Sequence, residues 1–256
     1  MQAEITILGS GTSMGVPTLG CTCRVCTSAD PHDRRTRPSI AVRWNDCCAV
    51  IDTGPDFREQ ALREGLTSID AVLYTHSHAD HILGLDDLRP LSFKTPQKIP
   101  LYADDAAAAV IERVFDYTFS PESQYATRAR VEMHRLGSSV EIRGSVFIRV
   151  PLLHGELEVA GFRFGNAAYL TDVSTIPEQS MPLLKNLDVL ILDALRKRPH
   201  PTHETLDQAV ELVHAIAPRR AFFTHMSHDL HHADTERELP EHIRLAYDGL
   251  RIPFEI

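Results

Sequence analysis

Residues 75–81 read T-H-S-H-A-D-H, directly after the apolar run D-A-V-L. His76, His78 and His81 with Asp80 are all metal-ligand types. Neutral imidazoles suit Zn, Fe, Mn or Ni, and a carboxylate among them widens the choice toward harder ions. His76 and His78 alternate on one face and can share one ion, while Asp80 and His81 sit a turn further and can serve a second. Three more ligand types end apolar runs: His154 after V-P-L-L, Asp172 after A-Y-L-T and His225 after A-F-F-T. Asp172 can bridge two ions, His154 can complete the first set and His225 the second. Loops that leave rigid strands hold such groups well.

A second cluster, G-C-T-C-R-V-C at 20–26, holds Cys21, Cys23 and Cys26. The chain has 5 cysteines, an odd number that does not suggest a disulfide framework. Outside an oxidising compartment a tight cysteine group is more often a metal site. Cys47 and Cys48, adjacent in an apolar run, read as inert thiols near the core.

The elements that must position these residues follow from the hydrophobic pattern. Residues 3–8 predict a strand ending at the glycine-rich G-S-G-T-S-M-G-V-P, which lacks the Lys-Ser/Thr ending of a phosphate-binding loop. Residues 39–44 and 48–52 predict two strands joined at Asn45-Asp46, and 56–65 a helix closed by Gly65. Residues 70–74 predict the strand before the histidines, and G-L-D-D-L-R-P-L a short helix stopped at Pro90. A strand near 99–102 and a helix over 104–116 follow, and the form of 117–130 stays unassigned. Further strands are expected near 131–135, 140–142, 145–150, 159–164, 167–171, 188–192 and 221–224, with a helix over 204–216. Strands in both halves with helices interleaved suggest two packed sheets with helices outside, in one domain over residues 1–256.

Composition sets the boundaries. Apolar residues make up 43% of the chain, enough for a real core. The net charge of −9 argues against a protein that rides on a nucleic-acid backbone. Arg34, Arg35 and Arg37 cluster, and the bland reading is a solvated loop. No run approaches the roughly 18 apolar residues of a membrane span, and the start lacks a basic segment followed by a long apolar one. The expected localisation is cytoplasmic.

T-H-S-H-A-D-H resembles the HxHxDH signature of the metallo-β-lactamase superfamily, and the order His76, His78, Asp80, His81, His154, Asp172, His225 resembles its binuclear hydrolases. The resemblance covers nearly the whole chain. It implies an α/β fold, an αββα sandwich of two mixed β-sheets flanked by helices, with two divalent ions (Zn or Mn) at the edge between the sheets. C-x-C-x-x-C after the first strand, His225 and His228 in H-x-x-H, and the ending L-P-E-H-I-R-L-A-Y-D-G-L-R-I are similar to the phosphoribosyl 1,2-cyclic phosphate phosphodiesterase (PhnP-like) subgroup. By that resemblance Cys21, Cys23, Cys26 and His228 hold a structural Zn, and four N/S ligands with no vacancy fit a closed site.

His203, in P-T-H-E-T-L-D-Q-A, matches the histidine that in this subgroup and in ribonuclease Z contacts the phosphate and protonates the leaving oxygen; His200 is the competing candidate. Asp52 and Asp56 are expected to orient ligating imidazoles, or else to form a strand-end turn and a helix N-cap. The implied reaction is attack on a small phosphodiester, cyclic or open, by a metal-bridging hydroxide, with His203 and Asp80 catalytic. The partner is then a small-molecule substrate, not a nucleic acid or a membrane, and an exposed edge near the site allows a homodimer. The alternatives are a ribonuclease Z-like RNA-processing nuclease, a metal- and ligand-binding protein like the B protein of pyrroloquinoline quinone biosynthesis, and an ester or thioester hydrolase.

Overall fold

The computed structural model describes residues 1–121 and 124–256; Glu122 and Ser123, in the stretch the sequence left unassigned, lie outside the described residues. Strands β1 Gln2–Gly9, β2 Ser39–Trp44, β3 Cys47–Ile51, β4 Ala71–Leu73, β5 Ile99–Ala103 and β6 Val131–Arg135 build a first sheet. A second contains β7 Ser139–Ile142, β8 Ser145–His154, β9 Leu157–Phe164, β10 Ala167–Leu170, β11 Val189–Asp193, β12 Arg220–Thr224 and β13 Ile243–Leu245. The last strand, β14 Arg251–Glu255, returns to the first sheet and pairs antiparallel with β1. The helices are α1 Phe57–Arg63, α2 Ala79–Ile82, α3 Arg89–Ser92, α4 Asp105–Val114, α5 Asp116–Phe119, α6 Leu206–Ile216 and α7 His232–Glu238.

Period-2 alternation sorts the strand residues into separate cores. Ile40, Val42 and Trp44 of β2 meet Phe147, Phe162 and Tyr169 from the second sheet in the central core. Ala41 and Val50 point the other way, to Phe57 of α1 and to Ala108 and Ile111 of α4. Leu190 and Leu192 of β11 turn outward to Leu206, Ala209 and Val213 of α6. Three apolar interfaces therefore separate four layers, helices outside and sheets inside. Both sheets are mixed: β3 to β6 run parallel, as do β10 to β13, while β8 and β9 form an antiparallel hairpin.

The strand pattern is met, with differences of physical origin. Pro90 does not stop a helix. A 3-10 turn over Leu85–Leu88 ends there, and the proline sits in the first turn of α3, where its missing N–H has no partner to lose. The expected helix over 104–116 ends as α4 at Val114, Phe115 leaves helical geometry, and α5 starts separately. β8 runs on to His154, beyond the expected 145–150. α7, β13 and β14 were not anticipated, because their apolar positions are few and short.

Arg35 departs most from expectation. Its side chain has no exposure and is no part of a solvated loop. It donates to Ser227 O (2.9 Å), Leu230 O (2.7 Å) and Asp33 Oδ1 (3.1 Å). A buried guanidinium is tolerated because these acceptors replace its water. It thereby ties the cysteine-bearing segment to the loop after β12.

Candidate active site

The parallel strands β4, β10, β11 and β12 end on the same side of the sandwich, and each delivers ligand-type residues there. His76 and His78 follow β4. His78 is also the N-cap residue of α2, a four-residue helix that carries Asp80 and His81. Gly54 lets this segment pack close: a Cβ there would lie 2.0 Å from Asp80 O. His154 ends β8, Asp172 and His225 lie just past β10 and β12, and Asp193 ends β11. Asp52, Asp172 and His225 have left-handed φ values of 64°, 58° and 58°. That sharp turn at a strand end swings each side chain across the mouth of the sandwich.

The sequence-predicted residues come together in two sets. His76, His78 and His154 present ligand atoms within 4.8 Å of one another, and so do Asp80, His81, Asp172 and His225. Asp172 stands between the histidines: Oδ2 is 3.2 Å from His81 Nε2 and Oδ1 is 3.4 Å from His225 Nε2. Asp80 Oδ2 lies 3.2 Å from His81 Nε2.

Hydrogen bonds fix which ring nitrogens face inward. His81 Nδ1 donates to Asp52 Oδ2 at 2.7 Å, and His154 Nδ1 donates to the Thr202 carbonyl at 2.8 Å. Each ring so held turns its Nε2 to the centre, the atom that would face a bound ion. His76 Nε2, His81 Nε2 and both nitrogens of His225 are buried with no hydrogen-bond partner among the described residues. Buried polar atoms are rarely orphaned, and several orphans converging on carboxylates are what a metal site looks like without its ion. The donor set, imidazole with carboxylate, fits divalent ions.

Electrostatics agree. Burial alone would lower His225, but Asp172, Asp80 and Asp193 outweigh it and push the ring up to about 9. Burial would raise Asp172, yet His225 and His81 hold it well below the usual carboxylate range. Carboxylates and imidazoles thus stabilise one another's charges, and a divalent ion bound among them would displace the ring protons.

Asp52 orients His81 as expected and also accepts from Thr75 N and Thr75 Oγ1, both at 2.8 Å. Asp56 does not orient an imidazole. Its carboxylate takes Arg37 N and Nη1 at 2.9 Å each, and it makes no side-chain cap to α1. The sequence reading missed Asp193. Its Oδ2 accepts from His203 Nδ1 at 2.7 Å and from Val173 N at 3.0 Å. The available signal was the same one that drew attention to Asp52: an aspartate closing an apolar strand, I-L-D.

That contact separates His203 from His200. His203 has a 9% exposed side chain, a carboxylate behind Nδ1, and Nε2 4.0 Å from Asp172 Oδ1. His200 Nδ1 instead accepts from Thr202 N (3.3 Å) and approaches Thr202 Oγ1 (3.2 Å). Burial and then the neighbouring His203 lower its pKa. Of the two rings, His203 is the one backed by a carboxylate. His231 and His232 are engaged elsewhere, the former against Asp33 and Asp234, the latter stacked near His32.

The second cluster also assembles. His228 Nδ1 lies 3.3 Å from Cys21 Sγ, 3.6 Å from Cys23 Sγ and 3.3 Å from Cys26 Sγ. The Cys26 amide aimed at Cys23 Sγ lowers that thiol to about 7, while burial pushes Cys26 up to about 11. Three sulfurs and one nitrogen at mutual contact match a tetrahedral zinc donor set.

Comparison with known proteins gives consistent results. A family model for a beta-lactamase superfamily domain matches residues 49–226. The crystal structure of a new diphosphatase from the PhnP family is 55% identical, with TM-score 0.94 over 99% of this chain and 98% of that one. An octanoyltransferase of Porphyromonas gingivalis is 37% identical over 95% of this chain. The chain spans only 50% of that longer protein. A coenzyme PQQ synthesis protein B of Methylorubrum extorquens is 30% identical over 74% of this chain and 72% of its own length. Among the described residues no helix is long and apolar enough to cross a membrane.

Proposed function

Because the chain belongs to the metallo-β-lactamase superfamily, in its PhnP-like subgroup, we propose that it is a binuclear phosphodiesterase acting on a small phosphodiester. Family and donor chemistry support the broader reading of a metal-dependent hydrolase. His76, His78, His154 and Asp172 would hold one divalent ion, and Asp80, His81, Asp172 and His225 the other. Bound there, such ions acidify water and offset the charge of phosphoryl oxygens. A closed zinc site at Cys21, Cys23, Cys26 and His228 belongs to the same reading.

The observation that carries the phosphorus chemistry is the Asp193–His203 pair. An alkoxide leaving group needs a proton as the bond to phosphorus breaks. His203 faces the cluster through Nε2, and Asp193 holds the opposite nitrogen in its N–H form and balances the charge of the protonated ring. Asp80, kept ionised beside His81, can accept a hydrogen bond from the attacking water. The −9 net charge favours a small substrate over RNA. So does the 170 Å³ cavity beside His203, smaller than the roughly 300–1,000 Å³ of ordinary ligand pockets.

A second reading, hydrolysis of a diphosphate, is favoured by the 55%-identical relative, itself a diphosphatase. The proton at His203 would serve a departing phosphate as well as an alkoxide.

The test is turnover of bis(p-nitrophenyl) phosphate by metal-loaded protein, with metal content by mass spectrometry. Wild type should turn over with two ions in the histidine cluster and a third with the cysteines, and His203→Ala should keep its metals but lose turnover. Full metal content with no turnover of that diester or of ADP-ribose would sink the phosphorus reading.

A further inference from the structure

The cavity beside His203 is lined in part by Thr12, Ser13, Arg196, Arg198 and His200. Its two arginines differ. Arg198 is neutralised by Asp229 at 3.1 Å, a residue of the same wall. Arg196 is half-buried, and its guanidinium donates only to neutral groups, from Nε to Arg198 O (3.1 Å) and from Nη2 to Pro199 O (2.8 Å). Among the described residues no carboxylate lies within ion-pair distance of it. In a chain with net charge −9 it is an unusual place to leave a cation uncompensated. A half-buried charge without a counter-charge is costly, and a ligand that supplies one removes the cost.

We propose that Arg196, with His200, forms an anion subsite that receives a second acidic group, a phosphate, on the departing half of the substrate. The proposal rests on the phosphorus-centred reading above. The placement is rigid. Arg196 pairs through its backbone with Thr205, the N-cap of α6, and its carbonyl accepts from Leu206 N at 2.9 Å. A guanidinium has five donors, and those Arg196 does not spend on its own loop can grip phosphate oxygens side by side. The His200 ring centroid lies 5.0 Å from that of His203. Because its Nδ1 accepts from the Thr202 amide, the neutral ring carries its proton on Nε2 and offers one more donor.

The subsite specifies a class: diphosphates, or esters whose leaving alcohol bears a phosphate. In such a substrate the oxygen of water bonds to the attacked phosphorus, and the proton the water sheds passes to solvent, from which His203 is later reprotonated. The bond from that phosphorus to the leaving oxygen breaks, and the oxygen departs with its electron pair and takes the His203 proton. Arg196 meanwhile holds the phosphate that leaves with it. Preference between substrates is then set by a residue that touches none of the reacting atoms.

The experiment compares ADP-ribose, whose departing half keeps a phosphate, with bis(p-nitrophenyl) phosphate, whose departing half has none. The metal-loaded wild type, Arg196→Gln and Arg196→Lys are assayed on both. The ratio of kcat/KM for ADP-ribose to that for the diester should fall about tenfold or more in Arg196→Gln, mainly through KM, and recover in part in Arg196→Lys. An equal loss on both substrates would assign Arg196 to shaping the loop and overturn the proposal, as would an unchanged ratio. Calorimetric binding of inorganic diphosphate against monophosphate, on the same variants, keeps the subsite testable should wild type hydrolyse neither substrate. Wild type must bind diphosphate the tighter of the two, and Arg196→Gln must lose that margin. Tight binding without hydrolysis would keep the subsite and discard the hydrolase, whereas no margin in wild type would discard the subsite.

Discussion

His225 and His228 are three residues apart on one loop, and they serve clusters of opposite character. The cluster reached by His225 mixes imidazoles with carboxylates, and Asp80, His81, Asp172 and His225 are all buried. Asp52 sets the ring of His81 and the Thr202 carbonyl that of His154, each from a different element. The cluster reached by His228 has three thiols from one short segment and a single ring, and it sits closer to solvent. The first has more donors than one ion needs. The second has four donors, the number a four-coordinate ion takes, and nothing left over. Donor number, more than burial, separates a set suited to chemistry from one suited to fastening. The fastening itself is legible: Arg35 grips the carbonyls of Ser227 and Leu230 on either side of His228, which ties the segment after the cysteines to the loop that carries His225 and His228.

Breaking the first cluster should have the largest effect. Asp172→Ala removes the carboxylate that faces both His81 and His225; turnover of bis(p-nitrophenyl) phosphate should drop to background, and mass spectrometry should find the active-site ions depleted. His203→Ala should lower kcat by about 10²–10⁴-fold, as loss of a general acid does, with metal content intact. If the metals leave too, His203 is a ligand and the assignment of roles changes. Asp52→Asn should weaken metal affinity by about 10–100-fold, measured by competition with a chelator, because His81 loses its orienting carboxylate.

Cys23→Ser sharpens the comparison from the other side. It should cost one zinc and lower the melting temperature, while kcat of the remaining folded enzyme changes less than in any variant above. A Cys23→Ser protein that keeps its zinc and its melting temperature removes the fastening role.

The smallest effect is a pH dependence. In the metal-free protein His225 is raised to about 9, above its unfolded value of about 6.5. Its contribution to stability is full below about pH 6.5 and is lost as pH rises through about 9. Melting temperature of the metal-free protein should therefore decline across that window. The metal-loaded protein, whose ring is already deprotonated, should not follow it.

The histidine cluster was legible because four of its residues fall within six positions and the others each end an apolar run, a pattern local sequence preserves. Asp193 carried the same signal as Asp52 and was missed although its partner, His203, is only ten residues away, nearer than His81 is to Asp52. The burial of Arg35 could not be read: two of its acceptors are backbone carbonyls nearly two hundred positions distant, and a carbonyl leaves no trace in residue type. Asp56 erred in the opposite sense, since a carboxylate near a motif looks the same whether it meets a histidine or an arginine. The sandwich followed from strand alternation, but β13 and β14 did not, because a three- to five-residue strand at a sheet edge carries too few apolar residues to announce itself.

His225 gathers three liabilities at one position: a left-handed backbone that glycine would adopt freely, full burial, and two ring nitrogens without hydrogen bonds. What offsets them is charge: His225 Nε2 lies 3.4 Å from Asp172 Oδ1 and 3.8 Å from Asp80 Oδ2. The position repays its strain only while those carboxylates, or an ion they share with it, face the ring.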